Sequence, residues 1–259
     1  MTDTKYPTVP FYIWEGKYPD FKSALLDATG YGFSGNVYLT RSLGAAEECL
    51  ACLNSDQPIP AFHKQRSTYL PITTALMLGL KRQINILDFG GGLGIGYMTL
   101  VESIPNDLKR ILYTIVEVPE VCKSGENLHG GKVIYTSEVP EERKFDLIYS
   151  ASALQYIENW QHLLSKFTSL SPDYILLSDV FAGPITSFVA LQNYYGSRIP
   201  HWFLNLNQLL YTLKDYGYRL SMKSFVTSKR LDAEDILPML NYPEDLRLSQ
   251  TLHLLFQKI

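Results

Sequence analysis

The chain has 259 residues, a formal net charge of −3, and 46% hydrophobic against 19% charged residues. That length suits one α/β domain with an accessory region, or two small domains. The charge balance excludes a general polyanion-binding field, and no Lys/Arg cluster offers the local basic patch that a nucleic-acid partner requires.

The opening stretch, "MTDTKYPTVPFYIWEGKYPDF", has no basic start followed by an apolar run, so it does not read as a signal peptide. No uninterrupted apolar run along the chain is long enough to span a bilayer, so a cytoplasmic protein without membrane contact is expected. "PDFKSALLDATG" predicts a helix with Asp20 near its start and Gly30 just past its end. "SLGAAEECLACLNS" predicts a second helix, carrying Cys49 and Cys52. That pair lacks the second Cys/His pair a zinc site needs, and it sits mid-helix rather than at a helix start, so no metal site is expected. "PITTALMLGLKR" predicts a third helix, with Pro71 in its first turn. Residues 1–80 therefore read as a mostly helical cap or lid region, and residues 81–259 as the ligand-binding domain.

From Ile84 the pattern changes to short apolar runs alternating with helices. "INILDF", "ILYTIVEV", "KVIYT", "FDLIYSAS" and "DYILLSDVF" predict five strands; "GIGYMTLVESI", "PEVCKSGENL" and "IENWQHLLSKFTSL" predict helices between them. Runs of Ile, Leu, Val and Tyr without clean alternation suit strands covered on both faces. Repeated strand–helix units predict a doubly wound, mostly parallel sheet. "SEVPEERK", between the third and fourth strands, is short for a helical crossover. The segment "AGPITSFVALQNYYGSRIPHWFLN" is apolar, aromatic and without obvious period. After it, "LNQLLYTLKDYG" predicts a helix ending at Gly217, and "YRLSMKSFV" and "TLHLLFQKI" predict an antiparallel strand pair at the sheet edge.

The loop after the first of these strands, "DFGGGLGIG", decides between ligands. A dinucleotide loop needs G-x-G-x-x-G, but from Gly90 the third position is Ile95, and from Gly92 it is Tyr97. D-x-G-x-G-x-G does fit, with Asp88, Gly90, Gly92 and Gly94. A carboxylate at this strand end repels a pyrophosphate docked on the helix N-terminus and suits a ligand bearing an ammonium and a sulfonium. These are the groups of S-adenosylmethionine. No Gly-Lys-Ser/Thr follows, so a phosphate-binding P-loop is excluded. Glu117, within "TIVEVPE" and 23 residues beyond Gly94, stands where a carboxylate accepts hydrogen bonds from both ribose hydroxyls.

"LDFGGGLG", "VEVP", "FDLIYSASALQYI" and the late strand pair resemble a class I S-adenosylmethionine-dependent methyltransferase, over about Ile84 to Ile259. "WEGKYPDFKSAL" with "DFGGGLG" resembles a narrower family of methyltransferases associated with bacterial surface-polysaccharide gene clusters. The resemblance implies a seven-stranded sheet whose last strand runs antiparallel, and S-adenosyl-L-methionine as cofactor. It implies that Asp88, Gly90, Gly92 and Gly94 cradle the methionine end and that Glu117 holds the ribose. The loop "TSEVP" then meets the adenine, offering Ser137 and Glu138 where many relatives carry Asp. Ser150, Ala151 and Ser152 line the pocket floor. Gln155 and Tyr156 either face the methyl group or begin the next helix.

Methyl transfer is an in-line displacement, so the protein mainly positions the nucleophile, and a hydroxyl or amine acceptor also needs a base. Of five histidines, His201 in "RIPHWFLN" is the first candidate base, because its segment follows the fifth strand and overhangs the pocket. For His129, His162 and His253 a structural role is the reading. Asp179 in "LLSDVF" either binds acceptor, orients a base or caps a helix. Tyr194, Tyr195 and Trp202 either shape the acceptor pocket or fill core. His63, Arg66 and Tyr69 are candidate lid contacts. The expected function is methyl transfer to an oxygen or nitrogen of a small molecule, such as a sugar or polysaccharide precursor, with homo-oligomerisation left open. The alternative is a cofactor-binding module without turnover, serving as a partner subunit. A nicotinamide-dependent oxidoreductase is disfavoured by the glycine register and by Asp88.

Overall fold

The computed structural model describes residues 11–226 and 236–259. The first ten residues of the N-terminal stretch, and residues 227–235 in the loop expected between the last two strands, lie outside the described residues. No helix among the described residues is long and apolar enough to cross a membrane.

In chain order the chain forms β1 (Trp14–Tyr18), α1 (Phe21–Leu25), α2 (Asn36–Asn54), α3 (Ala61–Lys64), α4 (Tyr69–Leu80), β2 (Ile84–Phe89), α5 (Ile95–Ser103), β3 (Ile111–Val116), α6 (Pro119–Gly125), β4 (Val133–Thr136) and β5 (Leu147–Ala151). It continues with α7 (Trp160–Ser169), β6 (Tyr174–Val180), β7 (Ala182–Gly183), β8 (Phe188–Tyr194), β9 (Ser197–Asn205), α8 (Leu206–Asp215), β10 (Tyr218–Phe225) and β11 (Leu252–Lys258). The expected strands and helices from Ile84 onward all form. The 137–146 connection between β4 and β5 holds no helix, as its length requires.

The main sheet has seven strands in the order β10-β11-β6-β5-β2-β3-β4. β2 runs parallel to β3 and β5, β4 and β6 extend the parallel set, and β11 is antiparallel to both β6 and β10. The fold is thus the doubly wound, mostly parallel α/β sheet, with its last strand reversed. Both faces are covered, because alternate residues of each central strand feed different cores. Leu87, Ile148 and Leu177 pack with Phe167 of α7 and Leu209 of α8 on one face. Ile86, Tyr113 and Tyr149 pack with Met77 of α4 and Leu100 of α5 on the other. Lys81 ties the entry of β2 to the starts of β5 and β6 by pairing with Asp146 and Asp173.

The N-terminal region is mostly helical, as read, and adds one strand: β1 pairs antiparallel with β8. One region departs from expectation. The long aromatic segment after β6 is not irregular but a β-hairpin, β8–β9, closed at Tyr195 and Gly196, both with positive φ (45° and 84°). That pair of conformations is the type I′ turn, whose twist matches a two-residue hairpin. With β7 these strands make a second, four-stranded sheet, β1-β8-β9-β7. α1 is also shorter than expected, although Asp20 caps it as read, accepting from the Ser23 amide at 2.7 Å.

Candidate active site

Parallel strands end their backbone hydrogen bonding at their carboxyl edge, where loops gather groups for a ligand. The β2–α5 loop does this through glycine. Gly90, Gly92 and Gly94 have φ of +70°, +56° and +84°, conformations that side chains rarely adopt. Asp88 ends β2 beneath this loop, 1% exposed. Its Oδ2 accepts from the Tyr113 hydroxyl at 2.7 Å, while Oδ1 has no partner among the described residues. Burial pushes the Asp88 carboxyl up to about 7, against the Tyr113 hydrogen bond that lowers it. Gly91 and Gly96 make room for this carboxyl. A Cβ on Gly91 would stand 2.5 Å from Asp88 Cγ, and one on Gly96 2.8 Å from the Tyr113 hydroxyl.

At the end of β3, Glu117 accepts from the Gly92 amide at 3.1 Å and from the Val118 amide at 2.9 Å. Burial raises its pKa, and the two amides oppose the shift. Behind the loop, His129 lies with Nε2 3.0 Å from the Leu93 carbonyl, so that ring nitrogen carries the proton it donates. Burial lowers the His129 pKa, which keeps the ring neutral.

Two cavities open on this edge. One, about 360 Å³, is lined by Glu117, Val118, Ser137 and Ile157. The other, about 390 Å³, runs over Asp88 and the glycine loop to Arg66 and Asp179. Gly90, Ser152 and Tyr156 border both. Ser152 holds a strained φ of +54° at the end of β5. The Tyr156 hydroxyl donates to Gln192 Oε1 at 2.6 Å, anchoring the shared wall to the second sheet. Phe33 stands 4.7 Å from the Tyr156 ring and 5.4 Å from that of Tyr194.

At the far end, Asp179 ends β6 with φ +53° and is buried. It accepts from Arg66 Nε at 2.8 Å, from the Thr251 hydroxyl at 2.5 Å and from the Ser152 hydroxyl. It caps no helix. His63 of α3 joins the same cavity, its Nε2 2.9 Å from Glu48 Oε2.

The structure gathers Asp88, Gly90, Gly92, Glu117, Ser137, Ala151, Ser152, Gln155, Tyr156, Asp179 and Tyr194 along these walls, with the lid residues His63 and Arg66. It leaves others outside. Gly94 turns its Cα away, toward His129. Glu138 is exposed, and Ser150 is buried, donating to the Phe89 carbonyl at 3.1 Å. Tyr195 tips the hairpin, and Trp202 packs on Phe21 at 6.2 Å, facing a separate groove. Tyr69 donates to Ser224 at 2.9 Å. His201 is 0% exposed, in a box of Trp14, Phe181 and Phe203, behind Tyr156 rather than at the cavity surface.

No family model and no curated protein matches this chain. Solved structures do. Burkholderia thailandensis 1,6-didemethyltoxoflavin-N1-methyltransferase, solved with 1,6-didemethyltoxoflavin and S-adenosylhomocysteine, is 13% identical. The match covers 89% of this chain and 93% of that one, with a TM-score of 0.51. A candidate methyltransferase of Haloferax volcanii, solved with the Trm112 methyltransferase activator, is 13% identical. That match covers 83% of this chain and 96% of its own, with a TM-score of 0.50.

The fold is that of a Rossmann-like methyltransferase.

Within this methyltransferase fold, the residues that sequence reasoning missed come from the second sheet and from α2. Gln192 of β8 carries no local signature and reaches the cavity because the hairpin folds over it, whereas Phe181 directly follows β6, two residues beyond Asp179. Arg41 was legible in principle. Tyr38, Arg41, Ser42 and Ala45 recur at i, i+3, i+4 and i+7, one face of α2, and all four line the larger cavity.

Proposed function

We propose that this chain is an S-adenosylmethionine-dependent methyltransferase, moving a methyl group to an oxygen or nitrogen of a small molecule, with sugars and polysaccharide precursors among the acceptors to test. The observation that carries the reading is the pair of cavities meeting at Gly90, Ser152 and Tyr156, one holding Glu117, the other holding Asp88 and the glycine loop. The residues fit the cofactor. The buried, unpartnered Oδ1 of Asp88 suits an ammonium, and the positive-φ glycines bring bare backbone against a ligand.

When bound, S-adenosylmethionine supplies an electrophilic methyl carbon and a neutral thioether leaving group. Glu117, which accepts from the Gly92 and Val118 amides, would hold the ribose hydroxyls. Tyr156 and Phe33 wall the meeting point and keep water from it. His63 takes the proton that the acceptor releases: Glu48 holds its Nε2–H and leaves Nδ1 as the basic nitrogen. This role passes to His63 rather than to His201, because only His63 borders the cavity. Asp179 serves as a positioning residue for Arg66.

Calorimetry with S-adenosylhomocysteine and with NAD tests the reading. We expect saturable binding of the first, weakened more than about tenfold by Glu117→Ala. Saturable binding of NAD alone would overturn it. Once an acceptor is found, His63→Gln should lower kcat by roughly 10²-fold or more, and His201→Phe should leave it within a few-fold. The reverse pattern would restore His201 as the base.

A further inference from the structure

The larger cavity carries cationic groups that neither the glycine loop nor the nucleoside cavity accounts for. Arg66 is held at one end. Its carbonyl accepts from the Tyr149 hydroxyl at 3.1 Å, and its Nε is fixed on the buried carboxylate of Asp179 at 2.8 Å. Among the described residues, the two terminal Nη groups have no hydrogen-bond acceptor. The side chain remains 45% exposed on the cavity. A guanidinium anchored through Nε, with its outer edge free, is preorganised for an oxyanion.

Arg41 lines the same cavity from the face of α2 that also carries Tyr38, Ser42 and Ala45. Its guanidinium lies 4.0 Å from the Tyr195 ring centroid. No carboxylate among the described residues lies within 4.0 Å of it. The carboxylates along the same cavity are committed elsewhere: Asp179 to Arg66, and Asp88 beneath the glycine loop. Arg41 therefore carries the one charge on this wall without an ion-pair partner among the described residues, beside the aromatic rings of Phe62, Phe181 and Tyr194 and the neutral polar Ser42 and Gln192.

From the Nη edge of Arg66, the uncompensated charge of Arg41 and their shared cavity, we infer that the methyl acceptor carries an oxyanion, a carboxylate or a phosphate ester, bound between these two arginines. The inference rests on the methyltransferase reading and narrows its substrate class. The oxyanion anchors the acceptor at the Arg66–Arg41 end, so the methylated atom lies elsewhere on the molecule, toward the junction at Ser152 and Tyr156.

Binding tests it without turnover. Protein saturated with S-adenosylhomocysteine is titrated with the carboxylates benzoate and glucuronate and the phosphate esters phenyl phosphate and glucose 6-phosphate. Neutral benzamide and glucose serve as controls, and saturation-transfer NMR reads binding. We expect at least one anion to bind, the carboxylate and phosphate arms deciding which class. Its affinity should fall about tenfold or more in Arg41→Gln and in Arg66→Lys, with S-adenosylhomocysteine affinity unchanged within about twofold. Arg66→Lys keeps a charge beside buried Asp179, and Arg41→Gln alters an exposed side chain, so both variants should fold. The inference is overturned if no anion binds below about 10 mM, if the neutral controls bind as well as the anions, or if Arg66→Lys weakens S-adenosylhomocysteine instead. In the last case Arg66 serves the cofactor's own carboxylate. Absence of S-adenosylhomocysteine binding in the parent protein would be a separate failure, that of the methyltransferase reading.

Discussion

Asp88 is costly to the folded chain and useful to it for the same reason. An unfolded Asp titrates at about 3.9, whereas burial holds this one at about 7. A folded pKa above the unfolded value means that its contribution to stability is full below about pH 4 and is lost as pH rises through 7. Asp88→Asn removes this loss. The variant should gain roughly 1 kcal/mol or more over the parent at pH 8 relative to pH 5.5, measured by urea denaturation. The same carboxylate must ionise to pair with an ammonium. Affinity for S-adenosylhomocysteine should therefore fall below pH 7 in the parent and become flat and weak in Asp88→Asn, as read by calorimetry across pH 5.5 to 8. Its neighbours are equally specific. Gly91 has an ordinary φ, so Gly91→Ala adds no backbone strain, yet its Cβ would overlap Asp88 Cγ. It should cost about 1–3 kcal/mol of unfolding free energy. The sequence pattern explained three glycines of this loop by their register. It left Gly91 and Gly96 without a reason, because the reason is the volume of Asp88 and Tyr113 packed against them.

At the scale of elements, the parallel strands were readable because burial on both faces forces continuous Ile, Leu, Val and Tyr runs. The predicted "INILDF" strand, for example, coincides with β2. The β8–β9 hairpin was not readable. Its turn is Tyr195-Gly196 rather than the Asn-Gly or Asp-Gly pair that marks a type I′ turn, and one of its faces meets α1 while the other meets buried aromatics. Both faces are thus apolar and the period-2 signal disappears. α2 illustrates a separate point. Gly44 lies inside it with no atom within 4 Å of an added Cβ. Gly44→Ala should raise stability by roughly 0.5–1 kcal/mol by reducing the freedom of the unfolded chain, and a denaturation midpoint should shift upward without a change in slope.

At the scale of the molecule, the second sheet joins β1 to the later half of the chain and supplies Gln192 and Tyr194 to the larger cavity. Trp14 of β1 is buried against Phe181, Phe203 and His201. Trp14→Ala should cost about 3–5 kcal/mol, measured by chemical denaturation. Because β1 touches neither Glu117 nor the glycine loop, folded Trp14→Ala protein should keep its affinity for S-adenosylhomocysteine while its acceptor side loosens. A coupled loss of cofactor affinity would show that the two sheets act as one site.

The sequence by itself determined the parallel sheet, the reversed last strand and the glycine loop that follows β2. Those features rest on local periodicity and on residues adjacent in the chain, where spacing alone decides which groups share an edge. Only the tertiary structure decided which side chains share the larger cavity with that loop. Arg41, His63, Arg66, Asp179 and Gln192 meet through contacts between distant segments. His201, the sequence's first candidate base, sits one layer behind that cavity because β9 turns it toward Trp14 and Phe181. Alternation along a strand tells which residues share a face, but it does not tell which face looks onto the ligand.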